Sequence, residues 1–175
     1  MRLAPLVAAA VLAGCQGAMP RPADEMARAT AQLQATKGSK VVGEATFEDM
    51  GSDRMHVVVI VHHLKPNSEH GFHVHEAGDC SSGDGMSAKG HFNPLGKPHG
   101  SAASAEHHAG DLPSLKADKN GTAKLDTIVG GITVAPGPTS IVGRGLIVHA
   151  DPDDFKTQPA GHSGARLACG VIQPG

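Results

Sequence analysis

The chain has 175 residues and a formal net charge of -2 with histidine neutral, so its overall charge does not indicate a nucleic-acid or polyanion partner. It contains no Trp, no Tyr and only four Phe, which leaves Val, Ile, Leu and Ala to build the core. This length and composition predict one all-β domain with many short strands rather than a few large helices.

Residues 1–14 are typical of the signal peptide of an exported protein. Arg2 precedes an apolar run of about ten residues, which is too short to span a bilayer. Leu-Ala-Gly then stands directly before Cys15, and this order resembles the cleavage site of a bacterial lipoprotein, whose cysteine becomes the lipidated first residue. An ordinary secretory peptide with an incidental cysteine is the alternative.

The three cysteines of the chain favour the lipoprotein interpretation. Three cysteines in an exported protein leave one unpaired unless it is otherwise used. Lipidation of Cys15 therefore predicts a disulfide between Cys80 and Cys169 and an oxidising compartment. Residues 15–25 then comprise the lipidated cysteine and a polar, proline-containing tether, and the folded domain is expected over residues 26–175.

Residues 27–35 alternate between apolar and polar side chains, a period of two that predicts a half-buried strand. Further strands are predicted at residues 41–49, 55–64, 123–129, 143–148 and 167–172. Beyond the leader no segment shows a convincing period of 3.6, so little helix is expected. Residues 76–115 are rich in Gly, Ser, His and Pro, and a loop this long is usually functional or disordered. Because this loop contains candidate metal ligands and a cysteine, we expect it to be functional rather than disordered.

A first set of candidate metal ligands lies on predicted strands. His73 and His75 alternate with Val74, so both imidazoles would leave the same face of a strand. His149 ends another apolar strand and could reach the same ion from elsewhere in the sheet. Imidazole suits zinc and copper. The alternative is that each is a packed core histidine whose nitrogens are satisfied by the backbone.

A second set lies in the long loop and comprises His91, His99, His108 and Asp111, spaced by eight, nine and three residues. Three nitrogens and a carboxylate, with no thiolate, favour a closed zinc site of structural character. The alternative is a pair of turns that happen to use His and Asp.

Six short motifs follow one another in the chain: GFHVHE at 71–76, GHFNP at 90–94, KPHG at 97–100, HAGD at 108–111, VH at 148–149 and GARLACGV at 164–171. Together they resemble the copper/zinc superoxide dismutases, most closely the exported bacterial branch, over residues 27–172. The resemblance implies an eight-stranded antiparallel Greek-key β barrel, an immunoglobulin-like sandwich with long metal-binding and electrostatic loops.

The resemblance also implies an activity. The enzyme would convert superoxide to dioxygen and hydrogen peroxide by alternating reduction and oxidation of copper, with one copper ion and one zinc ion per chain. By motif position the copper ligands would be His73, His75, His91 and His149. The zinc ligands would be His91, His99, His108 and Asp111, so that His91 bridges the two ions.

Two further residues match roles in this family. Arg166 matches the active-site arginine that docks superoxide, although a lone arginine is more often a solvated surface charge. Asp153 matches an aspartate that joins a copper-ligand histidine to a zinc-ligand histidine, and such carboxylates orient imidazoles. Asp151 and Asp154 lie close by, so the choice among the three stays open.

The family and the leader together predict a periplasmic enzyme of the bacterial cell envelope, anchored to a membrane by a lipid on Cys15. Gln16 rather than Asp after that cysteine favours sorting to the outer membrane. Superoxide is the expected partner, and monomer and homodimer stay open. The alternative function is a non-catalytic copper- and zinc-binding lipoprotein that buffers metal, which loss of a copper ligand, the bridge or Arg166 would favour.

Overall fold

The structure is a computed structural model that describes residues 27–175. The signal peptide predicted at 1–14 and the lipidated Cys15 with its tether to residue 25 lie outside the described residues and stay predictions. Within residues 27–175 there is no helix long and apolar enough to cross a bilayer.

The described part of the chain contains ten strands and one turn of 3-10 helix, Met86–Ala88. The strands are β1 (Arg28–Ala35), β2 (Val42–Asp49), β3 (Met55–His62), β4 (Glu69–His70), β5 (Phe72–His75), β6 (Leu115–Lys116), β7 (Ala123–Val129), β8 (Gly145–His149), β9 (Arg166–Val171) and β10 (Gln173–Pro174). The predicted all-β class with little helix is confirmed.

Eight of these strands form one antiparallel sheet in the order β5-β8-β9-β1-β2-β3-β7, with β10 also paired to β1. Strand β1 pairs with β2 along its first part and with β9 at Gln34 and Ala35, so the sheet curls around the core. Strands that are far apart in the chain, such as β1 and β9, lie side by side in the sheet. The long connection that this pairing requires is typical of a Greek key. The predicted antiparallel β barrel is therefore confirmed.

The core is aliphatic, as the composition predicts. Alternate residues of β3 are buried, and Val57 and Val61 have no exposed surface. On β1 the same alternation buries Ala29, Ala31 and Leu33, as the period of two predicted. Strand β8 is buried at all five positions, and its Ile147 packs outside the main core in a small cluster with Ala88.

Three short strands were not predicted, namely β4, β6 and β10. Each has two residues, too few for a periodic pattern to be visible. The predicted strand at 55–64 ends at His62, because His63 has a positive φ of 64° and leaves the strand. The strand predicted at 143–148 begins at Gly145 and extends to His149.

The predicted long loop is present between β5 and β6 and is joined to β9 by a disulfide between Cys80 and Cys169. The two Cα atoms lie 5.8 Å apart, within the usual range for a bridged pair. Cys169 packs with Ala88 and Ile147 in a small apolar cluster beside the main core. The predicted disulfide is confirmed, and it fixes the loop against the sheet.

Replacing Cys80 and Cys169 together by Ser is expected to lower the free energy of unfolding by about 2–5 kcal/mol, because the bond closes a long loop in the unfolded chain. Urea denaturation of the metal-free protein measures the loss. Dithiothreitol should bring the natural chain to the stability of the variant and leave the variant unchanged. Equal urea midpoints for the two oxidised proteins would contradict this expectation.

Candidate metal centre

Neighbouring strands bring the first set of histidines together. His73 and His75 lie on β5, and His149 ends β8, which pairs with β5 in antiparallel register. The long loop then runs back along β5, since His91 forms a bridge with His75 and Asp111 forms one with His73. Backbone pairing therefore places all five side chains at one edge of the barrel.

Two groups of side chains result, and each could hold a metal ion. In both groups all members are buried and their potential ligand atoms lie within 4.8 Å of one another. The four-histidine group comprises His73, His75, His91 and His149. The mixed group comprises His91, His99, His108 and Asp111. The structure thus brings together every ligand predicted from the sequence, and His91 belongs to both groups.

The hydrogen bonds of His75 and His149 fix which ring nitrogen faces the centre. His75 Nδ1 donates to the carbonyl of Lys89 at 2.9 Å, and His149 Nδ1 donates to the carbonyl of Gly164 at 3.3 Å. A carbonyl only accepts, so both protons of the neutral rings are on Nδ1. The two Nε2 atoms, which then carry lone pairs, face each other at 3.3 Å. A cation between them would turn this repulsion into attraction.

The other two members of the four-histidine group also have a free nitrogen. His73 Nε2 donates to Asp153 Oδ2 at 2.7 Å, which leaves Nδ1 as the bare nitrogen. Neither His73 Nδ1 nor His91 Nε2 has a hydrogen-bond partner among residues 27–175, although both are buried. Buried polar atoms without partners are uncommon and need an explanation. A metal ion bound to these two nitrogens would explain both.

Asp111 is the centre of the mixed group. Its Oδ1 lies 2.9 Å from His91 Nδ1, 3.0 Å from His99 Nδ1 and 3.5 Å from His108 Nδ1. Its Oδ2 accepts hydrogen bonds from the main-chain N–H groups of Gly100 and His108 at 3.0 and 2.9 Å. The carboxylate is therefore held in one orientation, with an oxygen facing three imidazoles.

The pKa of His99 shifts in the opposite direction from those of His75, His91 and His149. Burial lowers the pKa of His91 to about 4 and that of His149 to about 3, and it lowers the pKa of His75 well below its usual value. Burial opposes protonation of His99 too, but hydrogen bonds with Asp111 and Asp153 raise its pKa to about 9. His75, His91 and His149 thus stay neutral, whereas His99 favours the positive charge. In the metal-free protein a proton supplies that charge.

Asp153 links the two groups. Its Oδ2 accepts from His73 Nε2, and its Oδ1 accepts from His99 Nε2 at 2.9 Å. Despite the cost of burial, these two hydrogen bonds keep the pKa of the carboxyl below its usual value. Of the three neighbouring aspartates this one makes the contacts, while Asp154 bonds instead to Thr157 in its own turn.

Arg166 begins β9 and lies beside the four-histidine group. Its guanidinium donates to the carbonyl of Gly85 at 2.6 Å and to that of Lys89, which also accepts from His75. The positive charge contributes to the lowered pKa of His75 and His149. One carbonyl thus fixes both a candidate ligand and the candidate anion-docking group.

The remaining histidines lie outside the two groups. His70 Nδ1 donates to the main-chain carbonyl of His149 at 2.8 Å and so supports β8. His107 Nδ1 donates to the carbonyl of His108, and the side chain of His162 is 81% exposed.

Sequence reasoning missed the role of Gly161. A Cβ atom there would lie 1.9 Å from Asp153 Oδ1 and 2.6 Å from His99 Nε2, and the residue has a positive φ of 64°. Any side chain would collide with the hydrogen bond between those residues. Its place in a polar segment that also contains Gly164 gave no signal of this.

Comparisons with known proteins agree with this geometry. The model of the family described as copper/zinc superoxide dismutase matches residues 41–172. A relative named superoxide dismutase Cu-Zn 2, from Aquifex aeolicus (strain VF5), is 38% identical over 150 residues, which are 83% of this chain and 86% of the relative. A superoxide dismutase of Paramecium bursaria Chlorella virus 1 is 43% identical over 127 residues, 69% of this chain and 67% of the relative.

A crystal structure of the clock protein EA4 has the same fold, with a TM-score of 0.77 and 35% sequence identity. The likeness covers 89% of this chain and 99% of that one. With the family match and the named relatives, the protein is an oxidoreductase that dismutates superoxide with copper and zinc. The chain belongs to the copper/zinc superoxide dismutase family.

Proposed function

We propose that the four-histidine group holds copper, that the mixed group holds zinc and that His91 bridges the two ions. The observation that carries this assignment is that the buried potential ligand atoms of each group lie within 4.8 Å of one another, while His73 Nδ1 and His91 Nε2 have no hydrogen-bond partner among residues 27–175. Four imidazoles suit copper, while three imidazoles and a carboxylate suit a closed zinc site. Copper supplies a centre that accepts and returns single electrons, whereas zinc has no redox chemistry.

His91 is suited to the bridging role because its two nitrogens face different groups. Nδ1 faces Asp111, and Nε2 is the buried nitrogen without a partner among the described residues. Both nitrogens can bind metal only when the ring loses its remaining N–H proton, which two neighbouring cations favour. Whenever Nε2 is free it can hold a proton within reach of the substrate. Dismutation needs protons, since two superoxide ions and two protons give dioxygen and hydrogen peroxide.

Arg166 binds and orients superoxide in this proposal. Arginine stays protonated at any physiological pH, and two main-chain carbonyls hold this side chain in place. A fixed cation attracts an anionic substrate and raises its rate of encounter with the site. These contacts support substrate docking next to the four-histidine group.

His149→Ala is expected to abolish dismutation and copper binding while leaving zinc bound, because His149 belongs only to the four-histidine group. Metal analysis and superoxide decay by pulse radiolysis measure both properties. His107→Ala is the matched control and should keep both metals and full activity. Normal turnover by His149→Ala would refute the copper assignment, and an inactive but fully metallated natural chain would favour metal buffering instead.

The metal-free protein is expected to be most stable near pH 6.5. As the pH falls below that value, the unfolded chain takes up protons that buried His91 and His149 resist until about pH 4 and 3, so the free energy of unfolding falls. The raised pKa of His99 stabilises the folded protein fully below about pH 6.5, and this stabilisation is lost as the pH rises through about 9.

Urea denaturation at intervals from pH 4 to 9 measures this profile. The zinc-loaded protein serves as the comparison, since zinc replaces the proton on His99 and should remove the alkaline decline. A metal-free protein equally stable at pH 6.5 and pH 9 would contradict the charge balance inferred for the mixed group.

We further propose that the enzyme works in the envelope of a bacterial cell, anchored by a lipid on Cys15, and protects the envelope from oxidative damage. The disulfide supports this proposal, because it uses two of the three cysteines and is typical of proteins in an oxidising compartment. One lipid chain alone binds membranes weakly, so stable anchoring requires a second membrane-binding signal, such as a further acyl chain.

Cells that express the natural chain are expected to incorporate radioactive palmitate into this protein, whereas Cys15→Ser should carry no label. The variant should also leave the membrane fraction and keep its dismutase activity, since Cys15 lies outside the metal-binding domain. Absence of label on the natural chain would remove the anchor from the proposal.

A further inference from the structure

We propose that Gln158 is a positioning residue for zinc, whose side-chain amide holds the main chain of His99 so that its Nδ1 faces the mixed group before the ion binds. This inference deepens the zinc assignment under Proposed function and rests on it. Gln158 lies 59 residues from His99, in the segment that follows β8.

Two hydrogen bonds form this clamp. Gln158 Oε1 accepts from the main-chain N–H of His99 at 2.8 Å, and Gln158 Nε2 donates to the main-chain carbonyl of His99 at 2.9 Å. The other proton of the amide points to the carbonyl of Lys156 at 3.3 Å. A primary amide has one acceptor oxygen and two donor protons, so every polar group of this side chain is used.

The clamp provides the main-chain support of His99 within residues 27–175. Neither the N–H nor the carbonyl of His99 bonds to another described main-chain group, so Gln158 is their partner. His91 and His108 are held differently. His91 forms a bridge with His75, and the N–H of His108 donates to Asp111. Among the imidazoles of the mixed group, only His99 depends on a distant side chain for its backbone position.

The same segment also holds the ring of His99. Asp153 accepts from His99 Nε2, and the main chain at Gly161 packs where no Cβ atom would fit beside that hydrogen bond. Residues 153–161 thus contact His99 at its N–H, its carbonyl and its ring. With both the backbone and the far nitrogen fixed, Nδ1 can only face the rest of the mixed group.

Loss of the clamp should therefore weaken zinc binding specifically. Removing a partner that orients a metal ligand typically costs 10- to 100-fold in metal affinity. Gln158 makes no hydrogen bond to a member of the four-histidine group, so copper affinity should stay the same.

The test compares Gln158→Met, which keeps the length of the side chain but cannot form the clamp, with Thr157→Val as the matched control. Thr157 Oγ1 bonds to Asp154 within the segment and does not contact His99. Zinc affinity of the metal-free proteins is measured by competition with a chromophoric chelator, and the visible spectrum of bound Co²⁺ reports the ligand geometry. We expect the zinc Kd of Gln158→Met to rise about 10- to 100-fold with an altered Co²⁺ spectrum, and that of Thr157→Val to stay within about twofold.

Gln158→Glu is the second variant, in case Gln158→Met does not fold. Its carboxylate still accepts from the main-chain N–H of His99. Its second oxygen takes the place of the amide donor and repels the main-chain carbonyl of His99, so the zinc affinity of this variant should also fall. Unchanged zinc affinity and Co²⁺ spectra in the folded variants would overturn the proposal, as would an equal loss of copper affinity. A natural chain that binds no zinc would instead refute the zinc assignment itself. Failure of the Gln158 proposal and failure of the zinc assignment are therefore distinguishable.

Discussion

The structure depends on one electrostatic constraint: buried ring nitrogens and a buried carboxylate lie so close together that the site requires positive charge. His75 Nε2 and His149 Nε2 meet at 3.3 Å, and Asp111 Oδ1 faces three imidazoles within 3.5 Å. Two nitrogen lone pairs that face each other in a low-dielectric interior are costly, because neither atom supplies a proton, and a buried carboxylate is costly unless positive partners compensate it. Positive charge at two positions removes the cost, and the fold supplies the rigidity that keeps the acceptors from separating.

That rigidity comes from groups around the ligands rather than from the ligands themselves. The carbonyl of Lys89 fixes His75 and Arg166 together, and the carboxylate of Asp153 fixes His73 and His99 together. Each acceptor therefore contacts two side chains: the first joins a proposed copper ligand to the arginine proposed to dock superoxide, and the second joins the two candidate metal-binding groups. Displacement of either acceptor would disturb both partners at once, so in our interpretation substrate docking and metal binding are structurally coupled.

The sequence predicted the strands and the ligands because both leave local signals. Alternation of apolar and polar residues predicted β1, a run rich in Val and Ile predicted β3, and the His-Val-His pattern placed two imidazoles on one face of β5. Asp153 could not be separated from Asp151 and Asp154, because a turn decides the direction of each carboxylate. Gln158 left no signal at all, since its partner lies 59 residues away and an exposed glutamine in a polar segment is common. Side chains that act through main-chain contacts are thus the part that sequence patterns miss.

Hydrogen bonds from the site hold the main chain of Lys89 in an unfavourable conformation. Its main chain lies at φ 64° and ψ -147°, a conformation that glycine adopts readily and other residues adopt at a cost of about 1–3 kcal/mol. The hydrogen bonds from His75 and Arg166 hold the carbonyl of Lys89 in this orientation. The disulfide ties the same loop to β9, the strand that Arg166 begins. The strained residue is therefore held between a candidate copper ligand on one side and the arginine on the other, so the geometry of the site is maintained against a local preference of the backbone.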